Sequence, residues 1–218
     1  MWSGWAELLA DDLERNLAAA PDLRPRLFEM LGYDPVSRKA HVGGGLISTP
    51  MATLRSMTIG VVEATGADRA TAADAVDRAW RSPDPVALAF PLADLGAVLD
   101  AVRTAGCRTA VATSDDRAPT VATLAALGIA DRIDAVACAD DGLPNKPDPA
   151  MVLALCARFD IPPARTAVIG DSPADIGMGR SAGAGLVIGV RSGVGTEAHL
   201  AAADVVIDSV AGLPALLD

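Results

Sequence analysis

The chain has 218 residues, 51% of them apolar, and a formal charge of −10. That length suffices for one large domain or two small ones with a sizeable core. The charge argues against nucleic acid, whose phosphates demand a basic face, and against an anionic membrane surface. It leaves room for a small anionic substrate, which needs only local positive charge. No apolar run approaches the roughly 18 residues that cross a bilayer, and the opening MWSGWAELLADDLERN lacks the basic and apolar regions of a secretion signal. A soluble, cytoplasmic protein is expected. Cys107, Cys138 and Cys156 are odd in number, widely spaced and set in apolar sequence, and so are expected as buried thiols rather than bridges or zinc ligands. Of the 18 basic residues only Lys39 and Lys146 are lysine, a scarcity that draws attention to Lys146.

In chain order, apolar residues recur at 2, 5, 9, 13 and 17, close to helical spacing. Trp2 and Trp5 are expected on the core face of that helix. A short second helix is predicted around residues 28–31, ending near Gly32. Residues 33–45 are polar, rich in turn formers, and close on Gly43, Gly44 and Gly45. A glycine triplet can cradle phosphate, but no Gly-Lys-Ser/Thr follows and no strand precedes, so a loop is predicted. Helices are predicted over about 49–64 and 71–80, the latter with Ala72, Val76 and Ala79 on one face. The first 84 residues therefore read as an all-helical domain.

The pattern changes at Ser82-Pro83-Asp84-Pro85. From there helices (92–104, 118–127, 150–159) alternate with strands (108–113, 133–139, 167–169, 186–190, 205–207). This alternation implies parallel strands with crossover helices, an α/β doubly wound, Rossmann-like sheet over 85–218. Strand carboxyl ends then share one edge, where open α/β folds bind ligands. The first of these strands ends Thr113-Ser114-Asp115-Asp116, which reads either as a helix cap or as a hydroxyl and helix start that hold a phosphate oxygen. After the second comes ADDGLPNKPDPAM, where Pro147 and Pro149 restrain the backbone around Lys146. An ammonium there can neutralise a phosphoryl group in transfer. The third runs Ala167-Val168-Ile169, breaks at Gly170, and is followed by Asp171 and Asp175, with Pro173 suited to the first helical turn. The two acids read either as a helix cap with a solvated neighbour or as ligands for a hard divalent cation.

The order Thr113, Lys146-Pro147-Asp148-Pro149, then Gly170-Asp171-Ser172-Pro173-Ala174-Asp175 resembles the second, third and fourth motifs of the haloacid dehalogenase superfamily, in its phosphoglycolate-phosphatase-like branch. The resemblance covers about 85–218, and residues 1–84 resemble that branch's helical cap. It implies a phosphatase-type hydrolase of a small phosphorylated metabolite, acting through an aspartyl-phosphate. Thr113 and Ser114 would hold the substrate phosphate, and Lys146 would steady nucleophile and phosphate. Asp171 would bind Mg²⁺, and Asp175 would support the metal site. The family's Asp-x-Asp, whose first Asp is the nucleophile, occurs nowhere in the 218 residues. Either a short upstream stretch is lacking from the polypeptide or its gene model, which is the favoured reading, or catalysis has been lost and the chain binds a phosphorylated ligand or a partner. A dehalogenase is disfavoured by Thr113-Ser114 and the Gly-Asp-Ser-x-x-Asp motif. The resemblance also implies that the helical segment selects the substrate, with Arg55, His41 and Gly43, Gly44 and Gly45 as candidates by elimination.

Overall fold

The computed structural model describes residues 3–17, 20–81, 86, 89 and 91–217. The chain divides into two compact units, Met1–Asp84 and Pro85–Asp218. The composition change at Ser82-Pro83-Asp84-Pro85, like Trp2, lies outside the described residues.

In the first unit, helices α1 (Ser3–Asn16), α2 (Leu23–Leu31), α3 (Gly45–Ser48), α4 (Met51–Glu63) and α5 (Arg69–Ala79) pack around one core. The helical spacing read from the sequence is the packing face: Trp5, Leu9 and Leu13 of α1 are buried, as are Ala72, Ala75, Val76 and Ala79 of α5. Trp5 meets Trp80 edge to face, ring centroids 5.2 Å apart. The unit is not wholly helical. Strands β1 (Tyr33–Asp34) and β2 (Lys39–Ala40) form a small antiparallel hairpin inside the stretch expected to be loop. Its turn is closed by Asp34, whose carboxylate accepts the Val36 N–H at 2.9 Å and the Ser37 hydroxyl at 2.6 Å, an Asx turn that strand patterns do not reveal.

Two glycines of the triplet, Gly44 and Gly45, serve packing, while Gly43 takes a positive φ of 89° in open space. A Cβ on Gly44 would lie 2.5 Å from Gly32 Cα, and Gly32 itself ends α2 in the left-handed region at φ 65°. Leu54, wholly buried, rests against Gly45. Leu54→Ala is expected to destabilise this unit by about 3 kcal/mol, the usual cost of a buried leucine with incomplete collapse. Urea unfolding followed by tryptophan fluorescence measures it, and a loss below about 1 kcal/mol would contradict this account of the core.

The second unit runs α6 (Leu95–Thr104), β3 (Ala110–Ala112), α7 (Arg117–Ala126), β4 (Ala135–Ala137), α8 (Ala150–Phe159), β5 (Ala167–Gly170), α9 (Pro173–Ala182), β6 (Leu186–Val190), α10 (Glu197–Leu200) and β7 (Val205–Ile207). Every strand pairing in it is parallel. Helices cover both faces. Met151, Val152 and Cys156 of α8 pack with Val168 of β5 and Met178 and Ala182 of α9 on one face. Val98 and Val102 of α6 pack with Ile188 of β6 and Leu213 on the other. This is the doubly wound, Rossmann-like arrangement expected from the alternation.

The strands form two sheets rather than one, β3 with β4 and β5 with β6 and β7. Among the described residues no strand joins β3 to β5. Exposure follows the pairing: β6, flanked on both sides, is buried from Val187 to Val190, whereas Ala110 of β3 and Ala167 of β5 are exposed. Of the cysteines, Cys138 and Cys156 are buried and Cys107 is exposed. It follows the turn at Gly106, just past the end of α6, where apolar neighbours in sequence do not become neighbours in the core.

Candidate active site

The carboxyl ends of the strands in the second unit are stitched together. The Ala139 N–H, past β4, donates to the Asp115 carbonyl, past β3, at 3.0 Å. The loop after β4 reaches the end of β5 through Lys146, and the loop after β6 reaches it through Val194. Four polar segments thus meet at one edge.

At the end of β5 the helix cap is Ser172, not an aspartate. Pro173 occupies the first position of α9, and Ser172 Oγ accepts the Asp175 N–H at 3.2 Å. Asp175 closes a reciprocal box: its Oδ2 accepts the Ser172 N–H at 3.1 Å, the Ser172 hydroxyl at 2.7 Å and the Asp171 N–H at 3.3 Å. Its Oδ1 accepts the Lys146 ammonium at 2.8 Å. Both side chains are largely buried, at 13% and 11% relative exposure, so this pair is not a solvated surface contact. Gly177, one turn into α9, lets the Lys146 loop approach, since a Cβ there would come 2.9 Å from Pro147 Cβ.

Asp171 is arranged differently. Its Oδ2 accepts the Val194 N–H at 2.8 Å. Its Oδ1 accepts no hydrogen bond among the described residues. The two acids four residues apart therefore play separate parts: Asp175 is saturated by four donors, and Asp171 keeps one carboxylate oxygen for something else.

Thr113 lies at the end of β3, where its N–H extends the ladder to the Ala137 carbonyl at 2.9 Å. Its hydroxyl accepts the Asp115 N–H at 3.1 Å and lies 3.3 Å from the Asp115 carboxylate. The Ser114 hydroxyl has no hydrogen bond among the described residues. Neither residue bonds to Lys146, Asp171 or Asp175, so the structure places Thr113 and Ser114 on the same edge without direct contact. The start of α7 is partly committed: the Arg117 N–H donates to Asp140 at 2.8 Å, and its guanidinium grips Asp141 at 2.6 Å. That grip holds the Asp141 carboxyl below its ordinary range. Burial, then repulsion from Asp140 and Asp115, pushes Asp116 up. With so many acids past β3 and β4, a phosphate here needs cationic charge, and Lys146, bonded to Asp175, is a basic residue on this edge.

Among the described residues no group of three or more His, Cys, Asp or Glu side chains is placed to hold a metal ion. The available donor is the oxygen of Asp171. A hard cation such as Mg²⁺, which retains several waters and takes one or two carboxylates, suits that donor; a softer metal does not. Sequence reasoning singled out both acids and the lysine. It missed Ser172 as the cap and Val194 as a donor to Asp171. The first was legible as a Ser three residues before an acid at a helix start, and the second only as a Gly-x-Gly turn after a strand.

Comparison with known proteins shows what the chain is similar to. Residues 80–183 match the family model described as haloacid dehalogenase-like hydrolase. A plasmid-borne phosphoglycolate phosphatase of Cupriavidus necator is 35% identical over 130 residues, 59% of this chain and 55% of that protein. The phosphoglycolate phosphatase of Rhodospirillum rubrum is 35% identical over 107 residues, 49% of this chain and 44% of that protein. The chain thus spans about half the length of the curated relatives it matches. The crystal structure of a predicted phosphoglycolate phosphatase from Haemophilus somnus superposes with a TM-score of 0.68 at 18% identity, covering 98% of this chain and 90% of that one.

The fold is that of the haloacid dehalogenase-like hydrolases, with a helical unit followed in the sequence by a Rossmann-like unit. In sequence the chain resembles the phosphoglycolate-phosphatase-like branch of that superfamily, as the motifs implied.

Proposed function

We propose that the chain is the greater part of a Mg²⁺-dependent hydrolase of a small phosphate monoester, acting through an aspartyl-phosphate whose aspartate lies on a strand outside these 218 residues. The observation that carries this reading is the division of labour at the end of β5. A buried ammonium is locked on Asp175, and beside it Asp171 presents an oxygen with no other use. Such a pairing neutralises charge on a transferring phosphoryl group. Asp171 would hold the cation, which supplies Lewis-acid polarisation of a phosphoryl oxygen. Asp175 would set the position of Lys146 and of the turn carrying Asp171. Thr113 and Ser114 would bind phosphate oxygens, with Lys146 as counter-charge. The edges of β3 and β5 that no strand pairs among the described residues support a further parallel strand beside them.

Two relatives are named phosphoglycolate phosphatases, so phosphoglycolate is the first substrate to assay. The acidic charge of the chain disfavours nucleic acid, and among the described residues no helix is long and apolar enough to cross a membrane. A second reading is a non-catalytic protein that binds a phosphorylated ligand or a partner chain; it is favoured by the absence of Asp-x-Asp from the sequence.

The metal assignment is tested by thermal unfolding. Mg²⁺ at about 100 times its Kd adds about 2.7 kcal/mol to the stability of a single-site protein, so a rise of several degrees is expected. In Asp171→Asn that rise should vanish. A variant that retains the full Mg²⁺ shift removes Asp171 from the metal site.

A further inference from the structure

The turn that follows β6 lies on Asp171 along its whole length. The Val194 N–H bonds Oδ2, and the Val194 side chain, 37% exposed, contributes little else. A Cβ on Gly193 would stand 1.9 Å from Asp171 Oδ2 and 2.3 Å from its Cβ and Cγ. One on Gly195 would stand 2.3 Å from the Asp171 carbonyl oxygen. No side chain fits at either place unless the turn or the carboxylate moves. The turn is also anchored at both ends. The Arg191 N–H donates to the Ile207 carbonyl at 3.0 Å, and its guanidinium binds Glu197 and Asp208. Past Gly195, Thr196 caps α10, whose Leu200 is buried against the core.

The geometry points to the turn at residues 193–195 as the positioning element for Asp171: the Val194 N–H fixes one carboxylate oxygen and leaves the other for a hard divalent cation. Only glycine at 193 admits that arrangement. The inference rests on the reading of Asp171 as metal ligand. Gly193 and Val194 touch neither substrate nor metal in it. They act by fixing a side chain that would otherwise turn about χ1 and χ2. Groups that orient a ligating carboxylate typically matter by 10- to 100-fold in metal affinity.

Mn²⁺, which carries a paramagnetic signal, is the probe. Its binding to the full chain is titrated by electron paramagnetic resonance for the parent, Asp171→Asn, Gly193→Ala and Gly60→Ala. Gly60 lies in α4 with nothing within 4 Å of a Cβ and serves as control. The expected result is binding by the parent and by the Gly60 variant, loss in Asp171→Asn, and a dissociation constant raised by at least about 10-fold in Gly193→Ala. Metal-free melting of Gly193→Ala should stay within about 2 °C of the parent. A turn that only holds the fold together would do the reverse, lowering the metal-free melt and leaving Mn²⁺ affinity untouched. Parent-like binding by Gly193→Ala overturns the inference and leaves Asp171 as ligand. No binding by the parent, or binding indifferent to Asp171→Asn, overturns the metal reading and the inference with it. If Gly193→Ala does not fold, Val194→Pro, which removes the N–H while also fixing φ and restraining Gly193, carries the same expectations.

Discussion

Asp175→Ala should cost the second unit about 3 kcal/mol or more of folding free energy, a larger loss than removal of its partner. The substitution strands an ammonium that is only 13% exposed, and it leaves the Ser172 N–H, the Ser172 hydroxyl and the Asp171 N–H without their acceptor. Breaking a buried pair from one side typically costs about 3–5 kcal/mol, because the remaining charge stays desolvated. Each orphaned donor adds a desolvation penalty of its own. Lys146→Met is milder. The Asp175 carboxylate that remains keeps three hydrogen-bond donors, and methionine replaces most of the lysine's apolar stem. Urea unfolding of the two variants and the double variant closes a mutant cycle. The expected order is Asp175→Ala below Lys146→Met, with the double variant recovering part of the loss. If Asp175→Ala unfolds within about 1 kcal/mol of the parent, the pair is not the anchor described here.

How far the site could be read from the sequence depended on how local its causes are. The strand–turn–helix at β5 is coded within a dozen residues: an apolar triplet, a glycine, and a proline at the first helical turn. Its bounds were legible for that reason. Lys146 stood out because lysine is scarce and prolines flank it. What local pattern does not contain is which acid is free. That depends on Lys146, 29 positions before Asp175, and on a backbone N–H 23 positions after Asp171. Backbone donors leave no residue-type signature, so of the Val194 contact only the flanking Gly193 and Gly195 show in the sequence. Cys107 was misjudged because apolar neighbours in sequence say nothing about a residue just beyond a helix end. Arg55 and His41, chosen by elimination, illustrate the same limit: Arg55 pairs with Asp77, and the exposed His41 donates its N–H to the Gly32 carbonyl. Of the three glycines beside them, Gly44 and Gly45 answer to close packing and Gly43 to a positive φ of 89°.

The 218-residue chain alone should hydrolyse small phosphomonoesters at least about 10³-fold more slowly than the same chain joined at its N-terminus to an apolar strand ending in Asp-x-Asp. In the proposed reading Lys146, Thr113 and a cation on Asp171 would bind a phosphate and neutralise its charge. None of them supplies the carboxylate that forms the covalent intermediate, and no Asp-x-Asp lies elsewhere in the sequence. Enzymes stripped of their nucleophile keep only the fraction of their acceleration that binding and electrostatics provide. Direct attack by a water is weakened here because Asp171 gives a cation few protein ligands, and the neighbouring Asp115, Asp116 and Asp140 repel an anion. The added strand has a physical place to go. β3 and β5 each carry a row of backbone groups that no strand pairs among the described residues, and such edges accept a parallel neighbour readily. Seated there, its carboxyl end would share the edge that holds Lys146 and Asp171. The assay compares both forms on a panel headed by phosphoglycolate, with Mg²⁺ present, and measures their melting in parallel. A gain in turnover together with a higher melting temperature supports the proposal. Equal turnover by the two forms, abolished by Lys146→Ala, would place the nucleophile on a residue of this chain and refute the reading of an external strand.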